Sequence, residues 1–452
     1  RAAIARGEQD RRPRRVGGFR HYGAMGREPP PVAGVLMRHA VSPCRAAFFN
    51  LTSPAPEALP MTSTRMPHRP RSSGGHSCLT ILLAGGQGSR LHELTGTDCK
   101  PAVPFGPTGR IVDFVVSNAA MAGLGPIMVA TQYRPVSLTA HLMRNWASAF
   151  ADGLILRDGH CVAGKQGYRG TADAVAANMA EIDRTAPEHV LILAGDHVFD
   201  MDFGRMMAEH VASGAAATVA ATPVPISEAR GFGILDADAQ GQVTRFVEKP
   251  ANPPAMFGDP RRSLASMGIY AFRWDWLRAA LRAELQRPGT RFDFGHDILP
   301  RALRDRELRL HTLPDRPDGR TGYWRDVGTL DAYRKAQLDF VAATPPIPLP
   351  QMPGGGGAGL NAVMSGFAAQ AAAVHGTVLM PGARIARGAH AKHAILGPGV
   401  VLPAGIVIGE DPNEDRRWFR RTDAGTVLVT VEMLKRREDA GTMTRAISGY
   451  RN

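Results

Sequence analysis

The feature that most constrains the fold is a change, late in the chain, in the spacing of its aliphatic residues. Before residue 340, short apolar runs such as 80–84 and 190–194 alternate with helical patterns such as 172–184 and 202–213. Strands that alternate with helices predict an α/β domain with a mixed, mostly parallel sheet. Ligands bind beyond the carboxyl ends of the strands in such sheets, so functional residues are expected there.

A six-residue repeat follows a Pro- and Gly-rich stretch, 342–359, that is typical of a linker. Its aliphatic residues form two series with six-residue spacing: Leu379, Ile385, Ala391, and then Ile395, Val401, Val407. Turn-forming Gly and Pro recur between them, and one inward aliphatic per hexapeptide is typical of a left-handed parallel β-helix. The alternative is a Gly/Pro-rich tail with chance spacing. We favour a short β-helix with these six residues pointing inward.

The positive charge is concentrated at the amino-terminal end. The first 70 residues carry 12 arginines, no lysine and 4 acidic residues, and so account for +8 of the formal net charge of +13. This segment lacks periodic hydrophobicity and is predicted to be disordered. It is either a basic arm or targeting segment, or the product of translation from too far upstream, which Met61 and Met66 favour. Nucleic acid is therefore not an expected partner, although a pI near 10.1 would ordinarily suggest one.

Membrane insertion and disulfide chemistry are also not expected. No run approaches 18 uninterrupted apolar residues, so no membrane partner is predicted. The four cysteines, Cys44, Cys78, Cys99 and Cys161, have no paired spacing, which argues against a disulfide framework or a zinc site. The pattern favours a cytoplasmic protein.

A glycine-rich turn directly after the first strand is the first functional motif. Gly85, Gly86 and Gly88 would expose backbone N–H groups to phosphate, and Arg90 and Lys100 supply the cations that a triphosphate needs. The turn matches neither common alternative. A dinucleotide-binding fingerprint requires a third glycine where Leu91 stands, and a P-loop requires Gly-Lys-Ser/Thr.

Two further positions stand out from the residues alone. Asp196 follows the apolar run 190–194, where a carboxylate could hold Mg²⁺ rather than merely cap a helix. Only six lysines occur among 54 basic residues, and two of them stand at Lys100 and Lys249. A compact ammonium group could be needed at both places, because a chain so biased to arginine has kept lysine there.

The glycine-rich turn with residues 100–102 resembles the signature of sugar-nucleotide pyrophosphorylases. Residues 168–175 (Tyr-Arg-Gly-Thr-Ala-Asp-Ala-Val) and 323–329 (Tyr-Trp-Arg-Asp-Val-Gly-Thr) resemble the branch of that family that makes ADP-glucose. The resemblance implies a Rossmann-like nucleotidyltransferase domain that transfers AMP from ATP to α-D-glucose 1-phosphate and releases pyrophosphate, for glycogen synthesis. It also implies Mg²⁺ as cofactor and a homo-oligomer, by family a tetramer.

The resemblance assigns roles to individual residues. Those implied in catalysis are Arg90, Lys100 and Asp196, with Asp196 and Asp326 as metal ligands. Those implied in nucleotide binding are Leu83, Gly85, Gly86, Gln132, Gly170, Thr171 and Asp196. Those implied in binding glucose 1-phosphate are Tyr168, Gly233, Glu248, Lys249 and Ser266. Arg110 and Arg184 match basic positions associated with allosteric effectors, and residues 293–295 resemble a substrate loop.

The predicted domains follow from the spacing and the resemblance together. They are a disordered basic leader (1–76), a nucleotidyltransferase catalytic domain (77–340), a linker (341–361), a shortened left-handed β-helix (362–435) and a C-terminal tail (436–452). Thr97 and Asp98 replace basic residues usual before the lysine of the signature, and Gly167 replaces an aromatic residue usual in some members. Alternatives are a nucleotidylyltransferase for another nucleotide or sugar phosphate, a homologue with altered regulation, and a non-catalytic homologue.

Overall fold

The computed structural model describes residues 77–151, 153–315, 322–353 and 374–449. The predicted leader, 1–76, residues 354–361 of the predicted linker and residues 362–373 of the predicted β-helix lie outside these residues. The amino-terminal part is built on one sheet of nine strands. These are β1 (Cys78–Leu83), β4 (Ile127–Thr131), β5 (Leu154–Asp158), β6 (His189–Ala194), β8 (Ala217–Pro225), β9 (Gly233–Ala237), β10 (Val243–Glu248), β11 (Arg262–Arg273) and β12 (Leu308–Thr312).

The direction of the strands confirms the predicted mixed, mostly parallel sheet. Its order is β10-β9-β11-β6-β1-β4-β5, and β8 joins β11 to β12. Strand β11 runs antiparallel to β6, β8 and β9, and β10 runs antiparallel to β9. The other seven strands therefore share one direction. Two short pairs lie outside this sheet: β2 (Pro104–Phe105) with β3 (Gly109–Arg110), and β7 (His197–Phe199) with β13 (Trp324–Asp326).

Helices cover both faces of the sheet. The α-helices of this part are α1 (Val112–Met121), α2 (Val136–Asn145), α3 (Gly159–Val162), α4 (Thr171–Ala176), α5 (Met179–Thr185), α6 (Phe203–Ser213), α7 (Trp274–Leu285), α8 (Leu299–Arg304) and α9 (Leu330–Asp339). Alternate strand residues enter opposite cores: Leu82 packs in the cluster that contains α1 residues, whereas Ile81 packs in the cluster that contains Ile182 of α5. This two-sided burial explains the continuous apolar runs in the sequence.

The C-terminal part is a short parallel β-helix. Its strands are β14 (Val374–His375), β15 (Val378–Leu379), β16 (Arg384–Ile385), β17 (His390–Lys392), β18 (Ala394–Leu396), β19 (Val401–Leu402) and β20 (Val407–Ile408). The strands of successive coils pair in parallel, with Leu379 opposite Leu396 and Ile385 opposite Leu402. Each coil therefore advances the chain by 17 residues. Helix α10 (Pro412–Trp418) and the strands β21 (Arg420–Arg421) and β22 (Val427–Val429) follow.

The predicted phase of the second hexapeptide series is wrong. Val401 and Val407 are 56% and 46% exposed, whereas their neighbours Leu402 and Ile408 are fully buried. The inward series continues from Ala391 to Leu396, Leu402 and Ile408, a phase slip of five residues rather than four. Ile395 is also buried, but on the opposite side of β18, in a cluster that includes residues of α9. Its apolar side chain therefore gives a pattern like that of an inward residue.

The β-helix packs directly against the amino-terminal part. One buried cluster contains Leu91, Tyr333 of α9, Ile395 and Leu428. Polar contacts reinforce it: the Arg334 guanidinium donates to the Thr426 hydroxyl at 3.0 Å and to the Gly376 carbonyl at 2.8 Å. The two parts therefore share a core rather than being joined only by a linker.

The chain continues as helix α11 (Val431–Gly449), which begins inside the predicted β-helix segment and runs through most of the predicted tail, 436–452. The predicted boundary at residue 435 thus falls within a helix. Among the helices of the described residues, none is both long and apolar enough to cross a membrane.

A buried histidine in α6 makes the fold sensitive to acid. His210 is 1% exposed and its Nδ1 lies 2.8 Å from the Thr218 hydroxyl. Burial, with His189 and Arg273 nearby, lowers its pKa from 6.5 to about 3. As the pH falls below 6.5, the unfolded chain therefore binds a proton that the folded chain does not. We expect the free energy of unfolding to fall by about 2 kcal/mol between pH 7 and pH 5 from this residue alone.

Urea unfolding at the two pH values measures this effect. His210→Gln keeps a hydrogen-bonding group but cannot titrate, so its stability should change less over the same interval. Equal pH dependence in the two proteins would show that His210 does not control acid stability.

Candidate active site

Parallel strands bring three of the sequence motifs to one edge of the sheet. Strand β1 pairs with β4 on one side and with β6 on the other, so their carboxyl ends are neighbours. Gly85 and Gly86 follow β1, Gln132 follows β4 and Asp196 follows β6. The Leu83 carbonyl accepts a hydrogen bond from the Gly195 N–H at 3.0 Å, which ties the glycine-rich turn to the residue before Asp196.

The glycine-rich turn is shaped around the stem of Lys100. Gly88 has φ +69°, and a Cβ there would lie 2.6 Å from the Lys100 Cβ. The Lys100 N–H donates to the Gly86 carbonyl at 3.2 Å. Glycine at position 88 is therefore needed both for its backbone conformation and for the close approach of Lys100.

Lys100 lies between the two predicted metal-binding carboxylates. Its Nζ is 3.0 Å from Asp196 Oδ2 and 2.8 Å from Asp326 Oδ1, and its side chain is 5% exposed. Burial alone would lower the pKa of Lys100, but Asp196 and Asp326 outweigh it and raise the pKa. Burial would likewise raise the pKa of Asp196, yet Lys100 and then His197 hold it well below its usual range. One cation can therefore contact both carboxylates.

Register between two short strands sets this geometry. Strands β7 and β13 are antiparallel, and His197 pairs with Asp326. Because Asp196 directly precedes His197, the two acidic residues converge although they are far apart in sequence. The predicted proximity of Asp196 and Asp326 is thus present in the structure.

His197 is a site residue that the sequence analysis did not single out. Its Nε2 lies 3.6 Å from Asp196 Oδ1 and 3.8 Å from Asp326 Oδ1, while its Nδ1 lies 3.1 Å from the Met267 carbonyl. A carbonyl only accepts hydrogen bonds, so Nδ1 carries the proton and Nε2 faces the carboxylates. Its position next to Asp196 was the one available signal.

Arg90 flanks the same acidic pair from the solvent side. Its guanidinium lies 3.8 Å from Asp326 Oδ2, and its side chain is 65% exposed. A Cβ at Gly328 would come within 2.8 Å of the Arg90 Nη2, so Gly328 leaves room for the guanidinium. Arg90 is therefore close to the acidic centre but free to meet a ligand.

Gln132 and Tyr168 are joined through backbone hydrogen bonds. The Tyr168 N–H donates to Gln132 Oε1 at 2.5 Å, and Gln132 Nε2 donates to the Tyr168 carbonyl at 3.3 Å. A Cβ at Gly159 or Gly167 would lie within 3 Å of Gln132 Oε1. The glycine at position 167 thus makes space for the Gln132 amide.

Thr171 is the first residue of helix α4, and its side chain does not cap that helix. Helix α4 has Gly170 at its N-cap without a side-chain hydrogen bond. The Thr171 hydroxyl instead donates to Asp293 Oδ2 at 3.0 Å and accepts from the Phe294 N–H at 3.1 Å. A Cβ at Gly170 would lie 2.3 Å from the Phe292 carbonyl oxygen. The segment 170–171 therefore holds the predicted substrate loop in place.

Of the predicted sugar-binding residues, Gly233 and Lys249 lie next to Glu248, whereas Tyr168 contacts Gln132. A Cβ at Gly233 or Gly295 would lie 2.7 Å or 2.4 Å from Glu248 Oε2, so two glycines make room for this carboxylate. Lys249 has φ +46°, is 61% exposed at its side chain and places its Nζ 2.8 Å from Glu248 Oε1. Ser266 is buried on β11, whose residue Ala265 pairs with the strand that begins at Gly233.

The two basic residues matched to effector positions are not brought together. Arg110 donates to the Ser137 hydroxyl at 2.7 Å and lies two residues before the start of α1. Arg184 lies on α5 and pairs with Glu181 at 2.5 Å. Helices α1 and α5 pack on opposite faces of the sheet, so these two arginines do not form one pocket within the chain.

The acidic centre offers few protein ligands to a metal ion. Within the described residues, no group of three or more His, Cys, Asp or Glu side chains is arranged to hold one. Two carboxylates that share one cation still suit Mg²⁺, which commonly takes one or two carboxylates and completes its shell with water and substrate phosphates.

Comparison with known proteins identifies the families that the two parts of the chain match. Residues 79–342 match the model of the nucleotidyl transferase family, and residues 363–429 match that of the GlmU-like C-terminal hexapeptide. The chain is 38% identical over 409 residues to a glucose-1-phosphate adenylyltransferase of Jannaschia sp. (strain CCS1), covering 80% of this chain and 97% of the relative. It is 38% identical over 412 residues to that of Yersinia pseudotuberculosis serotype IB (strain PB1/+), covering 80% and 95%.

Proposed function

The chain belongs to the nucleotidyl transferase family and, within it, to the glucose-1-phosphate adenylyltransferases, and we propose that its cleft joins ATP to α-D-glucose 1-phosphate. AMP is transferred to the sugar phosphate, which gives ADP-glucose, the glucosyl donor for glycogen, and pyrophosphate. The observation that carries this proposal is the Lys100 ammonium group held between Asp196 and Asp326, beside the glycine-rich turn.

The proposed reaction needs no protein nucleophile. A phosphate oxygen of glucose 1-phosphate is already anionic and attacks the α-phosphorus of ATP in line, while the bond to pyrophosphate breaks. Catalysis then depends on holding the two phosphates together and on neutralising their charge. Lys100 and Arg90 are the cations nearest the acidic centre and would stabilise the charge that passes to pyrophosphate.

We assign Mg²⁺ to Asp196 and Asp326. The two carboxylates already contact one cationic group, Lys100, so their spacing suits a shared ion. When bound, Mg²⁺ would supply a Lewis acid that screens the phosphate oxygens. The Lys100 ammonium group would then contact the nucleotide as well as the carboxylates. His197 would keep the two carboxylates oriented.

We assign the nucleotide and the sugar phosphate to two sides of this centre. Gln132 with residues 83–86 and 170–171 would bind the nucleotide, supported by the strand-end geometry around β1 and β4. Glu248 would bind a sugar hydroxyl and Lys249 the sugar phosphate, with Gly233 and Ser266 beside them. The exposed ammonium group of Lys249 is available for an anionic ligand. Tyr168 connects the two sides through Gln132.

Assembly, location and regulation extend the proposal beyond the reaction. We propose a homo-oligomer, a tetramer by family resemblance, in the cytoplasm, with Arg110 and Arg184 as contacts for allosteric effectors. The intact set of Lys100, Asp196 and Asp326 argues against a non-catalytic homologue. Sedimentation of the purified protein tests the tetramer.

A pyrophosphate-release assay with ATP, glucose 1-phosphate and Mg²⁺ tests the function. We expect ATP to be preferred over UTP, GTP and dTTP, and preference for UTP would overturn the choice of nucleotide. Chelation with EDTA should lower the rate by at least about 100-fold, because the metal supplies several kcal/mol of charge stabilisation. Excess Mg²⁺ should restore the rate, and full activity in EDTA would exclude the metal assignment.

A further inference from the structure

A two-pronged ion pair joins the β-helix to the loop that carries Arg90. Arg420, on β21, donates from Nε to Glu93 Oε2 at 2.7 Å and from Nη2 to Glu93 Oε1 at 2.6 Å. Parallel double hydrogen bonds of this kind fix the relative orientation of the two groups as well as attracting them. Glu93 is three residues after Arg90 in the same 3₁₀ segment, Ser89–Thr95.

The loop has an unusual backbone between these two residues. His92 has φ 51° and ψ −122°, a conformation that is costly for a residue with a side chain and that persists only where the surroundings hold it. Two residues close to His92 in the loop are anchored by apolar packing. Leu91 and Leu94 are buried in the cluster that includes Ile395 and Leu428 of the C-terminal part.

Arg90 itself lacks such anchoring. Its side chain is 65% exposed, and its distance to Asp326 is 3.8 Å, too long for a hydrogen bond. The position of its guanidinium therefore depends on the backbone of residues 89–95. That backbone is held by apolar packing and by hydrogen bonds from the Thr95 hydroxyl to the Gly88 and His92 carbonyls. The pair between Glu93 and Arg420 ties it to the C-terminal part of the chain.

We propose that Arg420 is a positioning residue for the transfer reaction, acting through Glu93 on the loop that presents Arg90 to the nucleotide. The inference rests on the proposed function, because it assigns Arg90 to the transferring phosphates. It gives the β-helix a role in catalysis in every single chain, in addition to any role in assembly.

The pair is poorly placed to serve stability alone. Both side chains are about one third to two fifths exposed, and ion pairs at such positions contribute little to folding. Arg420 nonetheless lowers the pKa of Glu93, so the carboxylate stays ionised and paired at neutral pH. Displacing a reactive group by about 1 Å can cost about 100-fold in rate. Loss of the pair should therefore reduce activity much more than stability.

Single and paired variants test the proposal in the pyrophosphate-release assay. Arg420→Ala should lower kcat by about 10- to 100-fold and shift the melting temperature by no more than about 3 °C. Glu93→Ala should have the same effect, and Glu93→Ala/Arg420→Ala should be no worse than either change alone. Combining Arg420→Ala with Arg90→Ala should cost no more than Arg90→Ala alone, because Arg420 acts through Arg90.

Arg334→Ala is the matched control. Arg334 also joins the β-helix to the catalytic part, but it contacts Thr426 and Gly376 and does not touch the 89–95 loop. We expect it to keep kcat within about twofold of the parent while changing stability at least as much as Arg420→Ala. The proposal would be overturned if the losses of kcat caused by Arg90→Ala and Arg420→Ala multiplied in the double variant. It would also be overturned if Arg334→Ala and Arg420→Ala lost kcat equally.

Failure of the inference can be told apart from failure of the proposed function. If the parent protein releases no pyrophosphate from ATP and glucose 1-phosphate, the proposed function is wrong. If the parent is active and Arg420→Ala retains its full kcat, only the role of Arg420 is excluded.

Discussion

Replacing Lys100 with methionine should lower the turnover number by at least about 10³-fold. Removing one preorganised donor to a developing negative charge typically costs about 10²–10³ in rate. Here the same change also leaves Asp196 and Asp326 facing each other without the ammonium group that now contacts both. Pyrophosphate release under saturating ATP and glucose 1-phosphate measures the loss.

The Lys100 change should also destabilise the folded protein. Breaking a buried ion pair typically costs about 3–5 kcal/mol, and partial exposure of the two acidic side chains reduces this to about 2 kcal/mol. Lys335→Met, an exposed position on α9, is the control and should leave both quantities unchanged. Lys100→Arg should remain impaired, because the guanidinium is larger than the ammonium group that lies between Asp196 and Asp326. An active Lys100→Met protein would remove Lys100 from the mechanism.

Arg90→Ala should lower the turnover number by about 10²–10³-fold, equivalent to about 3–4 kcal/mol. Its guanidinium flanks Asp326 and faces solvent, where it can meet the pyrophosphate side of the nucleotide. The charge on that side grows as the bond breaks, so kcat should fall more than the KM for ATP rises. The rate with ATP varied at saturating glucose 1-phosphate separates these two terms.

The Arg90 and Lys100 changes should differ in their effect on folding. Arg90 is 65% exposed, so Arg90→Ala should unfold at nearly the same temperature as the parent, unlike Lys100→Met. Arg144→Ala, on the exposed face of α2, is the control for removing an arginine. Near-normal turnover in Arg90→Ala would contradict its assignment, and a large loss of stability would show that Arg90 is structural.

The sequence predicts which residues lie at the strand ends, but it does not predict which of them contact each other. The strands expected at 80–84 and 190–194 are present within two residues at each end, because two-sided burial leaves a strong apolar signal. The glycines and Asp196 therefore lie at the strand ends, as predicted. The contact of Lys100 with Asp326 was not predictable, because it depends on the pairing of β7 with β13, which are over 120 residues apart.

Local sequence patterns give the wrong secondary structure or the wrong buried face where tertiary contacts determine it. The helix expected over 172–184 is interrupted after Ala176, where Asn178 donates to the Ala174 carbonyl and to the Tyr168 hydroxyl. The hexapeptide phase fails because Ile395 is buried on the outside of the β-helix, against the catalytic part. Spacing alone cannot tell burial against another domain from burial inside the coil.

The Lys100 ammonium group partly neutralises the two acidic side chains of the site from within the chain. With Lys100 between Asp196 and Asp326, the folded chain does not depend on a supply of free divalent ions to keep its acidic groups from repelling each other. The Mg²⁺ proposed for this site would then be able to bind together with the nucleotide. The enzyme would therefore fold and stay folded without free Mg²⁺ and would need the ion only when the nucleotide binds.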